Sequence, residues 1–146
     1  MRIRDILRAK GSAVATVAPT ATVTEFLAEL AAHNIGAMVV VAPDDPGICG
    51  IVSERDVVRH LHADGPGVLG RPVVEIMTTE MVTCTPGDRI DDLAALMTNN
   101  RVRHIPVLEG GRLAGIVSLG DVVKNRMEEL QTEQQQLHAY ITQSGS

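Results

Sequence analysis

The residues best placed to do chemistry are two serine–aspartate pairs. Ser53 and Asp56 lie in residues 50–58, GIVSERDVV; Ser118 and Asp121 lie in residues 115–123, GIVSLGDVV. Seven of the nine positions are identical, and only Glu54/Leu119 and Arg55/Gly120 differ. In each copy a β-branched run ends at a serine that starts a helix. The first-turn N–H groups of a helix lack internal partners and attract anions. A serine there can offer its hydroxyl to a phosphate. An aspartate one turn on can accept two vicinal hydroxyls, as on a ribose. Gly50 and Gly115 let something approach the strand closely. Phosphate donor, diol acceptor and a smooth apolar surface suit a nucleotide. Ser-x-x-Asp at a helix start is also a capping box with Asp in place of Glu, and a capping requirement can itself be duplicated. Both readings stand on the residues alone.

The elements that must hold these pairs come in two sets. In the first, residues 4–7 read as a helical turn and 13–17 as a short strand ended by Pro19. Thr22 and Glu25 make a capping box. Val23, Phe26, Leu27, Leu30 and Ala31 then keep a helical period up to Asn34 and Gly36. Residues 37–42 are apolar without alternation, as in a strand buried on both faces. A turn over 43–47 leads to a hairpin partner at 48–52, and Ser53 opens a helix through Val57, Val58 and Leu61. A connector follows over 63–72. The order then restarts: 74–77 echoes 4–7, and 81–84 is the first strand. Asp88 with Asp91 caps a helix striped by Ile90, Leu93, Ala94, Leu96 and Met97. Residues 104–108 match 37–41 at an offset of 67. Gly110 and Gly111 turn the second hairpin into a strand over 113–117. Pro106 cannot donate to a ladder, so its strand is edge-like there.

This order predicts an α/β (α+β) chain of two βαββα repeats about a pseudo-twofold axis, with a C-terminal helical extension. The expected division is 1–66, 67–128 and a polar helical tail over 129–146. In the tail, Met127, Leu130, Leu137 and Ile141 form a narrow apolar line, which seeks a partner helix and predicts a homodimer.

Composition excludes several classes. A net charge of −5 argues against a nucleic-acid binder, and Phe26 and Tyr140 are the only aromatics besides histidine. No apolar run approaches a membrane span. Cys49 and Cys84 stand alone, which argues against zinc and suits a reducing cytoplasm. His60 and His62 fall on different helix faces, and no metal site is expected. No nucleophile–base set and no phosphate-binding P-loop stands out, so no enzyme is expected and no catalytic residue is named.

The sequence resembles a tandem pair of CBS domains, a Bateman module. Residues 50–56 and 115–121 fit that family's Gly-x-x-Thr/Ser-x-x-Asp pattern, and residues 103–107, RHIPV, fit its strand motif. The resemblance covers about residues 1–128. It implies a regulatory module whose inter-repeat clefts bind adenosine ligands: AMP, ADP, ATP, NAD(H) or S-adenosylmethionine. It implies that Asp56 and Asp121 hold ribose, and Ser53 and Ser118 phosphate. It implies adenine against the backbone of Ala37, Met38 and Val39 and of His104, Ile105 and Pro106, with Thr16 and Thr83 lining the clefts. It further implies a disc-like dimer and, with no fused enzyme, an unidentified protein partner. The halves are unequal. Arg55 has no counterpart at Gly120, and Arg103 none at Gly36, so one arginine can serve each phosphate. Val39 replaces the family's proline, and Gly36 allows closer approach. The competing reading is a scaffold whose clefts do not bind.

Overall fold

The computed structural model describes residues 1–11, 14–45 and 47–144. Ala13 and Pro46, parts of the expected first strand and first turn, lie outside them. The elements run α1 (Ile3–Lys10), β1 (Thr16–Val17), α2 (Val23–His33), β2 (Ala37–Val41), β3 (Ile48–Ser53), α3 (Glu54–Asp64), α4 (Ile90–Asn100), β4 (His104–Glu109), β5 (Arg112–Ser118) and α5 (Leu119–Ser144). A 3₁₀ turn over Pro66–Gly70 lies in the connector, and a second over Val73–Glu75 enters the segment that echoes residues 4–7.

Local signals explain most boundaries. Thr22 Oγ1 accepts the Glu25 N–H at 3.1 Å, and Glu25 Oε2 accepts the Thr22 N–H at 3.3 Å, which closes the predicted capping box. Asn34 ends α2 in the left-handed region at φ 52°. Gly110 and Gly111, both at positive φ, make the tight turn between β4 and β5.

The first sheet is β1-β2-β3, with β1 parallel to β2 through the α2 crossover and β3 antiparallel to β2. Among the described residues the second sheet is the pair β4-β5. The expected strand over 81–84 does not form; one bridge, Cys84 to Val107, remains. Cys84 donates to Pro106 O at 3.1 Å, and Leu108 donates to Cys84 O at 2.8 Å. The next rung of a parallel ladder needs a donor at residue 106, and proline has none. The edge-like character expected of Pro106 thus removes the neighbouring strand as well. The expected Asp88/Asp91 cap is also absent. Arg89 is the N-cap and bonds through no side chain, while the Ile90 N–H reaches Met1 O at 3.3 Å. Asp88 instead accepts the Thr85 N–H at 2.9 Å.

Each half has its own core, and each core borrows from the other half's lead-in. Ile3 and Ile6 of α1 pack with Cys84, Ile90, Leu93, Met97, Ile105 and Val117. Val73 and Ile76 pack with Phe26, Leu30, Met38, Val40 and Val52. The backbone repeats the exchange. Ile3 and Arg4 donate to Asp88 O and Pro86 O; Val73 and Val74 donate to Ala21 O and Pro19 O. Swapping the halves maps one pair of bonds onto the other, as a pseudo-twofold axis requires. No described helix is long and apolar enough to cross a membrane.

Candidate functional site

Side chains alternate across a strand, and ladder partners share a face. Val17, Met38, Val40 and Val52 point into the first core. The opposite face of that sheet therefore carries Thr16, Ala37, Val39, Ile51 and Ser53, linked by the pairs Thr16–Val39, Val39–Ile51 and Ala37–Ser53. In the second sheet Ile105, Val107 and Val117 point into the core. The other face carries His104, Pro106, Ile116 and Ser118, linked by His104–Ser118 and Pro106–Ile116. Ala37, Val39 and Pro106 are buried although they belong to neither core. The two outward faces therefore cover one another. At their edge, a Cβ on Gly36 would lie 3.6 Å from His104 Cε1 and 3.4 Å from Glu54 Oε1.

The structure thus brings most predicted residues onto two facing surfaces. Met38 and Ile105 are core side chains and can offer only backbone. Thr83 is exposed and sits where no ladder forms, so nothing aligns it with Thr16. Arg55 and Arg103 are exposed.

At the two helix starts the serine–aspartate pairs are working caps. Asp56 Oδ2 accepts the Ser53 N–H at 2.8 Å and the Ser53 hydroxyl at 3.1 Å, and Oδ1 accepts the Thr78 hydroxyl at 3.2 Å. Ser53 Oγ accepts the Asp56 N–H at 3.4 Å. In the second half Asp121 Oδ2 accepts the Ser118 N–H at 2.9 Å, and Ser118 Oγ accepts the Asp121 N–H at 3.2 Å. The first helical N–H, of Glu54 or Leu119, goes to Gly36 O or Arg103 O. The next amides, of Arg55 and Gly120, belong to a first turn in which a helix has no internal acceptor for them. Capping is real in both copies, and it consumes part of the chemistry that a phosphate would use.

Two residues outside the predicted set join these pairs. Lys10 Nζ lies 2.6 Å from Asp121 Oδ2 and 2.9 Å from Ile116 O. Thr78 meets Asp56 and pairs with Ile51 through both backbone bonds. The echo between residues 4–7 and 74–77 was the available signal. Each lead-in crosses to the other half, so the residues just after the echo land at that half's aspartate. Burial raises the Asp121 carboxyl, but the bonds from Lys10 and Ser118 outweigh it and hold it below the usual range. His104 is lowered by burial first and then by Lys10, against the pull of Asp121 and Glu54.

Gly50 and Gly115 do admit a close approach, but of the chain itself. A Cβ on Gly50 would lie 2.7 Å from Thr78 O; one on Gly115 would lie 2.5 Å from Leu7 Cδ2. Beside Ser118 a cavity of about 620 Å³ opens among Arg103, His104, Gly120, Val123 and Met127. Its volume falls in the usual range of small-molecule sites. Among the described residues no cluster of three or more His, Cys, Asp or Glu side chains could hold a metal.

Comparison with known proteins decides the family. The CBS domain pattern matches twice, over residues 3–63 and 73–128. The chain belongs to the CBS-domain family. It is 36% identical over 146 residues to the CBS domain-containing protein CBSX3, mitochondrial, of Arabidopsis thaliana, covering 95% of this chain and 71% of that one. The crystal structure of the CBS-domain containing protein ATU1752 from Agrobacterium tumefaciens superposes with a TM-score of 0.83 at 43% identity, over 86% of this chain and 99% of that one. The CBS domain protein PAE2072 from Pyrobaculum aerophilum, solved in complex with AMP, superposes with a TM-score of 0.74 at 28% identity, over 83% and 89% of the two chains. The fold is therefore a CBS pair with an added C-terminal helix.

Proposed function

We propose that this CBS pair is a non-catalytic sensor of adenosine nucleotides, with one cleft at each serine–aspartate cap. In this reading Asp56 and Asp121 take the ribose hydroxyls. Ser53 and Ser118 take phosphate together with the spare amides of Arg55 and Gly120. Adenine lies along the outward-facing backbone of 37–39 and 104–106, and Arg103 adds charge-assisted bonds in the second cleft. The Arg55 side chain serves the first phosphate. AMP or ATP is the leading ligand class, with NAD(H) and S-adenosylmethionine as alternatives. The observation that carries the reading is the arrangement of two equivalent caps on facing sheet surfaces of a chain similar to an AMP-bound CBS pair. Two free cysteines suit a cytoplasmic setting. Ligand biases the relative pose of the halves, or of protomers in a homodimer, only if the two poses differ in affinity. A partner protein reads that pose.

Thermal melting with AMP, ATP, NADH and S-adenosylmethionine tests this. At one hundred times its dissociation constant, a ligand of the native state adds about 2.7 kcal/mol. Asp56→Ala and Asp121→Ala should each remove one site's share of the shift. A melting curve that no ligand moves at millimolar concentration sinks the sensor reading. It would favour the scaffold, which one feature supports: the Asp56 and Asp121 carboxylates already have protein donors.

A further inference from the structure

Resting on the assignment of ribose to Asp121, we infer that Lys10 is a built-in competitor for the second cleft, so the first cleft fills before the second. Lys10 is the last residue of α1, which packs against the second half. Its ammonium is bound at two points, Asp121 Oδ2 and Ile116 O. Oδ2 also accepts the Ser118 N–H. A vicinal diol grips a carboxylate best through both oxygens, and here one oxygen is doubly occupied. The ligand must displace the ammonium to use it.

Among the described residues no cation pairs with Asp56 in the first half. At the matching place after the echo, offset by 70, stands Glu80. Among the described residues Asp56 meets neutral donors: the Ser53 N–H and hydroxyl and the Thr78 hydroxyl. Bonds to an ionised carboxylate are charge-assisted in both halves, but only Lys10 puts a full positive charge on the donor side. Replacing neutral donors by ribose hydroxyls is close to an even exchange; replacing an ammonium is not. The Lys10 and Asp121 side chains are 35% and 22% exposed, so solvent weakens the pair. Lys10 therefore raises the ligand concentration that the second cleft needs and does not close it. The second half, with Pro106 and Arg103, nevertheless stands closer to the family pattern.

The chain has only two lysines, Lys10 and Lys124, which makes the amine readable. In ligand-free protein, Asp121→Asn should raise acetylation of Lys10 by N-hydroxysuccinimide acetate several-fold relative to Lys124, read by peptide mass spectrometry. An unchanged ratio overturns the clamp. Calorimetric titration with AMP then compares Asp56→Ala, which leaves the second cleft, with the same protein carrying Lys10→Met. Affinity should tighten roughly two- to tenfold. Equal or weaker binding overturns the inference alone and makes Lys10 a ligand contact or a bystander. If neither the native protein nor Lys10→Met binds AMP while the acetylation result holds, the nucleotide reading falls and this inference with it.

Discussion

At the scale of single residues, His104 and Cys84 show what burial does to a titratable group. His104 is held below its ordinary value of 6.5, first by burial and then by Lys10. The unfolded chain therefore takes up this proton before the folded one does. The contribution to stability is intact above pH 6.5, erodes as pH falls below it, and levels off below the folded value. The melting temperature should drop as pH falls from roughly 7 to 5, and His104→Gln should flatten that slope. Cys84 is pushed up to about 12 by burial and by Asp88, so its thiol stays protonated at neutral pH. Iodoacetamide should label the half-buried Cys49 in native protein and reach Cys84 only on unfolding. Equal labelling rates would contradict the packing of Cys84 beside Pro106. The serine–aspartate pairs belong to this scale too. Residue type and spacing singled out the pairs and offered both a ligand-binding reading and a cap. The cap is what the geometry displays.

At the scale of elements, the lead-in segments matter most. Gly50 and Gly115 occupy matching positions, yet their neighbours differ in kind. Alanine at 50 would press its Cβ against the Thr78 carbonyl, which is fixed by two backbone bonds to Ile51. Alanine at 115 would press against the end of the Leu7 side chain, which can rotate away. Gly50→Ala should cost about 1–3 kcal/mol, as overpacking typically does, and Gly115→Ala clearly less. Equal denaturation midpoints would refute the distinction. The first strand of the second half shows a different limit. Residues 81–84 have strand-like composition, but a ladder also needs a donor on the facing strand. Pro106 withholds it, and that fact becomes visible only once the two segments are paired.

At the scale of the whole molecule, α5 extends the fold by a long exposed rod. Met127, Leu130 and Leu137 are 57%, 48% and 58% exposed. Positions 127, 130, 134, 137 and 141 follow an alternating three–four spacing, the seam of a two-stranded coiled coil, with Gln134 as its one polar member. We propose that a second copy of the chain covers this line through the seam. Leu130→Asp with Leu137→Asp should then lower the sedimentation mass towards one chain, with the melting of the CBS pair little changed. An unaltered mass would place any dimer contact elsewhere.

The sequence by itself determined the duplication, the element order except for the strand over 81–84, the Thr22 and serine–aspartate caps, and the likeness to a CBS pair. These rest on local periodicity and on residues close together in the chain. Tertiary structure decided what lies far apart in it. It sent α1 to the second half and residues 73–78 to the first. It turned the two glycines towards the chain and set Lys10 on Asp121. The physical reason is that each half is too small to bury its own apolar surface. The lead-ins complete the cores crosswise, and no local pattern encodes that exchange. The repeated stretch named the two aspartates; only the fold gave them unequal neighbours.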